Sequence, residues 1–328
     1  MQFDINIIEI ELSSLCNAKC SGCMRTMLDN RKIDYYKGNL PLDSIIDWFD
    51  PLDLSETKIK MCGVLGDPMI NPELYEIVFY LLFEKNVRDL EMSTNGGTRS
   101  TQFWKDLGLL SKQSDKRFYI HWAIDGVTKN DYRENVALDR VWDNVHAYHS
   151  TGGHSIWQYI IFDYNEDEVE TARAKAKEYG MKFATRVSWR NTSEKSKVTS
   201  KAANKIDSDS YEVVEKRART KQYEDAKIMC RHKIKGELYI GANKRLWPCC
   251  HLYDESVAQK TNDIKHLYEK IGHDFNDLTK RSINDIIDSN WYKNELEASW
   301  NKTHSLHLPR CYLTCGDNGK RAVIKNVE

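Results

Sequence analysis

The sequence predicts an α/β protein built on a parallel sheet, and three observations carry that expectation. Strand-like and helix-like segments alternate from residue 5 to about residue 188. The alternation runs through six strand–helix repeats if a last helix lies near 209–226. A polar, Ser-rich stretch at 190–210 then breaks the pattern ahead of a hairpin. Repeated βα units imply parallel strands joined by right-handed crossovers, with the helices outside. Six units fit an open, incomplete barrel better than eightfold closure, while strand order alone suits a doubly wound sheet equally well.

Each element has its own signal. INIIEIEL (5–12) is apolar at every second position or better, which is strand periodicity. LDSIIDWF (42–49) has helical spacing behind Pro41, and PELYEIVFYLLFEKN (72–86) is an amphipathic helix opening with Pro72. KIKMCGV (58–64) and VRDLEMS (87–93) read as strands on either side of that helix. A helix over 100–111, strand FYIHWAI (118–124) and helix RVWDNVHAYHST (140–151) follow. SIWQYIIF (155–162), EDEVETARAKAKEYG (166–180) and KFATRVSW (182–189) complete the repeats. Residues 190–210 read as a solvated connection whose basic content is linker composition. GELYIGANKRLWPCC (236–250) reads as a hairpin turning at Gly241-Ala-Asn, and INDIIDSNWYKNELEASW (283–300) as a helix. The boundary between the two parts belongs near 200–225: a core over 1–200, a connection over 201–225 and a smaller α+β domain over 226–328.

Composition narrows the function classes. The chain has 328 residues, ample for a large core plus a smaller domain. Lys and Arg number 48 against 49 Asp and Glu, giving a formal net charge of -1. That balance supplies no global footprint for nucleic acid or an anionic membrane. The chain has no apolar run of spanning length, and MQFDINIIEIEL lacks the basic start and cleavage site of a signal peptide. A soluble, cytoplasmic protein is the expectation. In that compartment the nine cysteines do not read as a disulfide framework.

Their distribution says more. Cys16, Cys20 and Cys23 crowd the loop after the first strand, while Cys230, Cys249, Cys250, Cys311 and Cys315 lie in the last third. Only Cys62 falls between, and it reads as a packed core thiol. Two thiol groups so far apart suggest two metal centres. CxxxCxxC supplies three thiolates, one short of a closed tetrahedral site, with no His close in sequence to complete it. Three thiolates can instead hold three irons of a [4Fe–4S] cluster and leave the fourth iron without a protein ligand.

In this motif the chain resembles the radical S-adenosylmethionine superfamily, whose hallmark is CxxxCxxC after the first strand of a partial (β/α)6 TIM-type barrel. The resemblance runs through about the first 190 residues, in four further stretches. It implies a [4Fe–4S] cluster on Cys16, Cys20 and Cys23, whose open iron the methionine moiety of S-adenosylmethionine chelates. GVLGDP (63–68) is similar to the glycine-rich motif after the second strand: Gly66 would allow close backbone approach, and Asp67, in place of the commoner Glu, would stand near the ammonium. MSTNGG (92–97) resembles the third strand end, offering Ser93, Thr94 and Asn95 to the methionyl carboxylate and ribose. AIDG (123–126) with DYR (131–133) resembles the fourth, with Asp125 and Arg133 as contacts, and IIFDYNEDEV (160–169) the fifth, with Asn165 on the cofactor side. Sites at successive strand ends fit the barrel rule. One departure is Gly22, where the family often has an aromatic residue before the third cysteine. The adenine must then find its apolar contact elsewhere.

The later cysteines resemble the twitch domain, the shorter relative of the SPASM extension. There a cysteine before a hairpin, one after it and a late pair hold one auxiliary [4Fe–4S] cluster. The resemblance implies Cys230, Cys249, Cys311 and Cys315 as ligands, with Cys250 spare by the family's PC ending of the hairpin. Four cysteines also suit zinc, with His232, His251, His304 or His307 as further donors.

The implied chemistry is reductive cleavage of S-adenosylmethionine to a 5′-deoxyadenosyl radical, followed by hydrogen-atom abstraction from substrate. A second cluster held by four thiolates suits electron acceptance, which favours oxidation over rearrangement. The expected substrate is a peptide or protein side chain, with a small alcohol or sugar-like metabolite as the alternative. The expected electron donor is a flavodoxin- or ferredoxin-type reductant. No general base is assigned. A non-catalytic iron–sulfur or zinc module, such as one for nucleic acid, would not need the GDP, STNGG and AIDG series, and would want basic clustering near the cysteines.

Overall fold

The computed structural model describes residues 3–187, 227–258 and 262–317. The expected helix near 209–226 and the polar stretch 190–210 lie outside the described residues. In the first part the alternation holds throughout. Strand β1 (Ile7–Ile10) precedes α1 (Met24–Arg31) and α2 (Leu42–Phe49), and β2 (Lys58–Met61) precedes α3 (Leu74–Phe79), which continues as a wider π turn over Tyr80–Glu84. Then come β3 (Asp89–Thr94), α4 (Thr101–Gln113), β4 (Phe118–Trp122), α5 (Leu138–Ser150), β5 (His154–Ile161), α6 (Val169–Glu178) and β6 (Lys182–Val187). Helix α1 has no counterpart in the sequence reading, because MRTMLDNR carries too short an apolar pattern to stand out.

The second part comprises β7 (Lys227–Ile228), α7 (Arg231–Lys235), the hairpin β8 (Glu237–Ile240) and β9 (Leu246–Trp247), α8 (Cys250–Ala258) and α9 (Asp263–Ile271). It ends in α10 (Ile283–Ile287), α11 (Leu296–Ala298), α12 (Pro309–Cys315) and β10 (Gly316–Asp317). The single helix expected over 283–300 breaks at Asp288 and Ser289 and resumes through a π turn at Trp291–Glu295. Neighbouring Trp291 and Tyr292 are both buried along with Ile287 and Leu296. The wider turn falls where the chain carries these two successive buried rings.

The main sheet has eight strands in the order β6-β5-β4-β3-β2-β1-β8-β9. All pairs from β6 to β8 are parallel, and only β8–β9 is antiparallel. The hairpin expected in a separate small domain thus extends the barrel sheet, with Ile7 opposite Glu237. The physical reason is the free edge of β1: its backbone N–H and C=O groups need partners, and β8 supplies them.

Along each barrel strand, alternate residues are buried among the apolar core. Ile8, Ile59, Leu90 and Phe118 have no exposure at all. Many of the intervening positions are polar, and one registered row runs Glu9–Lys60–Glu91–Tyr119–His154 across five strands. On this second face Lys58 Nζ lies 2.6 Å from Glu91 Oε2, and the Tyr119 hydroxyl donates to the same oxygen at 3.2 Å. Among the described residues no helix is long and apolar enough to cross a membrane.

Candidate active site

The loop carrying the first three cysteines is fastened on several sides. Ser14 N donates to the Gly38 carbonyl at 3.0 Å, Asp67 N to the Leu15 carbonyl at 2.9 Å, and Lys19 N to the Glu134 carbonyl at 2.9 Å. A Cβ at Gly66 would overlap the Ser13 carbonyl oxygen, so only glycine lets the two loops meet there. Glu11, at the end of the first strand and 1% exposed, ties the same region to the second part of the chain. Its carboxylate accepts from Leu65 N at 2.6 Å and from the Tyr253 hydroxyl of α8 at 2.7 Å.

Cys20 is buried with Ala18, Tyr132 and Phe162, and Cys16 and Cys23 pack at the margin of that group beside Ile160 and Tyr164. Burial, and then the negative charge of Asp67, push the Cys16 thiol up to about 12, and burial raises Cys20 as well. Thiolates in such a place are costly alone and are stabilised by a cation, which suits metal ligands.

The expected cofactor contacts divide into two kinds. Asp67 is buried and fully engaged: one oxygen accepts from Met69 N at 3.0 Å, the other from the Thr94 hydroxyl at 3.0 Å, Asn95 N at 2.9 Å and Asn95 Nδ2 at 2.8 Å. Its shorter side chain, where the family more often has Glu, therefore fastens the end of β3. Asn95 Nδ2 also reaches Asn17 Oδ1 at 2.9 Å and lies 3.7 Å from Cys16 Sγ, which joins the third strand end to the cysteine loop. Ser93 shares the half-buried polar face with Glu91.

Asp125 and Arg133 form a buried ion pair, Oδ2 to Nε at 2.7 Å. Burial pushes the Asp125 carboxyl up, and the Arg133 guanidinium, which keeps its proton, opposes that shift. Asn165 turns the other way. It has no exposure, donating through Nδ2 to the Asp125 carbonyl at 2.6 Å and the Ile160 carbonyl at 2.9 Å, and accepting from Phe162 N at 2.7 Å. These contacts brace the fourth and fifth strand ends.

Sequence reasoning missed the aromatic group beside the thiols. The rings of Tyr132 and Phe162 are 4.7 Å apart, and Phe162 stacks on Tyr164 at 5.7 Å with an interplanar angle of 11°. All three lie inside the stretches DYR and IIFDYNEDEV, where the polar letters drew the attention.

In the second part, Cys230, Cys249, Cys311 and Cys315 line one apolar cavity together with His251 and Arg310. Cys230 directly precedes α7, and the β7–β10 ladder places it near Cys315, with Met229 N donating to the Cys315 carbonyl at 2.9 Å. Cys311 and Cys315 stand four apart on α12, hence on one face. Burial pushes Cys311 up to about 12 and raises Cys249 further. Cys250 does not line the cavity, and the charges of Glu9 and Glu237 help to raise its thiol after burial. Three of the histidines have other partners. His232 Nδ1 meets the Glu237 carbonyl at 2.8 Å, His304 Nε2 lies 3.3 Å from Glu295, and His307 Nδ1 meets the Ser299 carbonyl at 3.1 Å. Among the described residues no three His, Cys, Asp or Glu side chains converge closely enough to hold a single metal ion.

A parallel βα sheet with a three-cysteine loop after its first strand defines a class, and the comparisons agree. The family model of the Radical SAM superfamily matches residues 10–176. The chain is 26% identical over 174 residues to the GTP 3′,8-cyclase of Alkaliphilus oremlandii (strain OhILAs), a match spanning 51% of each protein. It thus covers about half the length of that curated relative. Streptococcus suis SuiB bound to S-adenosylmethionine superposes with a TM-score of 0.57 at 12% identity, covering 90% of this chain and 67% of that one. Native anSMEcpe with bound AdoMet gives 0.54 at 14% identity, covering 94% and 89%. At these identities the likeness is one of fold. The chain belongs to the Radical SAM superfamily, whose fold implies a [4Fe–4S] cluster and S-adenosylmethionine.

Proposed function

We propose that this protein is a radical S-adenosylmethionine enzyme that oxidatively modifies a peptide or protein side chain, with two clusters on separate sets of cysteines. In this reading Cys16, Cys20 and Cys23 hold the cluster that binds S-adenosylmethionine. Cys230, Cys249, Cys311 and Cys315 hold an auxiliary cluster in a twitch-like region within 226–328, joined to the 1–200 core through 201–225. The observation that carries the second cluster is the cavity lined by those four thiols, from which Cys250 is absent. Four cysteines around one cavity match the ligand set of a [4Fe–4S] cluster.

When bound, the front cluster and S-adenosylmethionine supply a one-electron cleavage that delivers a 5′-deoxyadenosyl radical, and this chain's residues do the rest. Asp67 and Asn95 hold the third strand end against the cysteine loop. Tyr132, Phe162 and Tyr164 offer the apolar contact for adenine that Gly22 does not supply. Water is excluded on that side by the same rings. Ser93 and Thr94 remain candidates for polar contacts to the methionyl and ribose groups, while the geometry favours Asn165 as a brace.

A peptide substrate is supported by two proteins of like fold. A SuiB structure holds its precursor peptide SuiA, and an anSMEcpe structure holds the Cp18Cys peptide. A flavodoxin- or ferredoxin-type protein is the reductant in this reading. The test is anaerobic reconstitution of the full chain, with iron and sulfide counted. About eight of each per chain are expected, two cubes of four. About four irons together with one zinc would remove the auxiliary cluster and, with it, the oxidative reading.

A further inference from the structure

The geometry points to a charge chain, Asp125–Arg133–Cys20, that sets how readily a cluster on the front cysteines accepts an electron. The inference rests on the reading of Cys20 as a cluster ligand and goes beyond it by giving Arg133 a task toward the ligand sulfur. Arg133 was expected at the cofactor. Its Nε meets Asp125 Oδ2 at 2.7 Å, and its Nη1 lies 3.9 Å from Cys20 Sγ. Cys20 is the most buried of the three thiols, and the Arg133 side chain is only 17% exposed. The guanidinium also lies over the Tyr132 ring, 5.3 Å from its centroid.

The anchor of this chain is rigid. Asp125 has no exposure, and its second oxygen accepts from Ile160 N at 3.2 Å. The Asp125 carbonyl is gripped by Tyr164 and Asn165, and its N–H by Asn130 Oδ1 at 3.1 Å. The arginine is thus tied to a fixed partner and presents its positive charge to the sulfur. Reduction adds one electron to a cluster and breaks no bond, so a cation beside a ligand sulfur favours the reduced form. A carboxylate behind that cation offsets part of the effect. Arg133 is accordingly a positioning residue for charge, and Asp125 sets how much of that charge the sulfur feels.

The two members of the pair therefore act with opposite sign, which a merely structural role would not do. Arg133→Gln leaves a buried carboxylate near the cluster and disfavours reduction. Asp125→Asn leaves the guanidinium uncompensated and favours it. The experiment is a redox titration of the reconstituted full chain without S-adenosylmethionine. It follows the electron paramagnetic resonance signal that, in a parallel sample, changes when S-adenosylmethionine is added. At a fixed potential the reduced-to-oxidised ratio should fall about tenfold in Arg133→Gln, which is ~59 mV for a one-electron couple. It should rise severalfold in Asp125→Asn.

Shifts of the same sign in both variants, or no shift with weakened S-adenosylmethionine binding in Arg133→Gln, would overturn the inference. Should Asp125→Asn fail to fold by circular dichroism, Arg133→Lys decides: it keeps the charge and should fall between wild type and Arg133→Gln. An equal drop in both arginine variants would sink the charge argument. If wild-type protein shows no signal that responds to S-adenosylmethionine, the ligand assignment itself fails. That result is visible before any variant is made.

Discussion

The two groups of thiols in this protein are assembled in opposite ways. Cys16, Cys20 and Cys23 sit within one loop, and the fold has only to hold that loop still through Gly66, Asn95 and the carbonyls of Leu15 and Gly38. Cys230, Cys249, Cys311 and Cys315 come from three separated segments, and the fold must bring them together through the hairpin, α8, α12 and the β7–β10 ladder. A local site is specified by spacing, whereas a distributed one is specified by tertiary packing. In metal-binding regions of the second kind, folding and metal binding are one equilibrium.

That contrast can be broken from either side. Replacing Cys16, Cys20 and Cys23 together by Ala should abolish 5′-deoxyadenosine formation under dithionite. The circular dichroism of the barrel should stay near wild type, because the loop's main fastenings run through backbone groups and Asn17 and not through the thiols. Undiminished cleavage of S-adenosylmethionine would remove the front cysteines from the chemistry. Removing Cys311 and Cys315 should halve the iron content to about four per chain. It should also make the second part sensitive to protease, while 5′-deoxyadenosine formation continues. If that part stays equally protected with the iron halved, its packing holds without the metal and the linkage drawn above is wrong. The smallest effect belongs to Cys250→Ala. Iron content should not change, and stability should stay within ~0.5 kcal/mol by denaturant titration. A loss of iron there would exchange the roles of Cys249 and Cys250.

The same contrast decides what was legible in the sequence. The βα alternation, the polar and apolar faces of INIIEIEL and KIKMCGV, and the three-cysteine loop are local patterns, and each appears where periodicity puts it. The bracing contacts of Asn165 were not legible, because a polar letter at a strand end looks the same whether or not it hydrogen-bonds the neighbouring strand's carbonyl. Asp67 carried a similar ambiguity: only coordinates reveal four donors already on its carboxylate. The aromatic group of Tyr132, Phe162 and Tyr164 joins two strand ends that are adjacent in space, so no single window of sequence contains it. Nor does any window contain Glu11, Leu65 and Tyr253, which couple the front loop to α8. The break at Asp288 and Ser289 in the 283–300 helix was hidden because the residues on both sides of it keep helical composition.

The pairing of β1 with β8 has a consequence for how the chain is made. Ile7 waits for Glu237, 230 residues further along. At a synthesis rate of about 5–20 residues per second, that interval is roughly ten to fifty seconds. During it the barrel can form from β1 to β6, but one edge of its first strand stays uncapped while the ribosome works. Ile8 and Ile10 flank that edge and have no exposure in the finished fold. An open edge beside apolar residues is a template for wrong pairing. The nascent chain is therefore most vulnerable after β6 is complete and before its hairpin emerges, which makes slow elongation or a chaperone at that stage a determinant of yield.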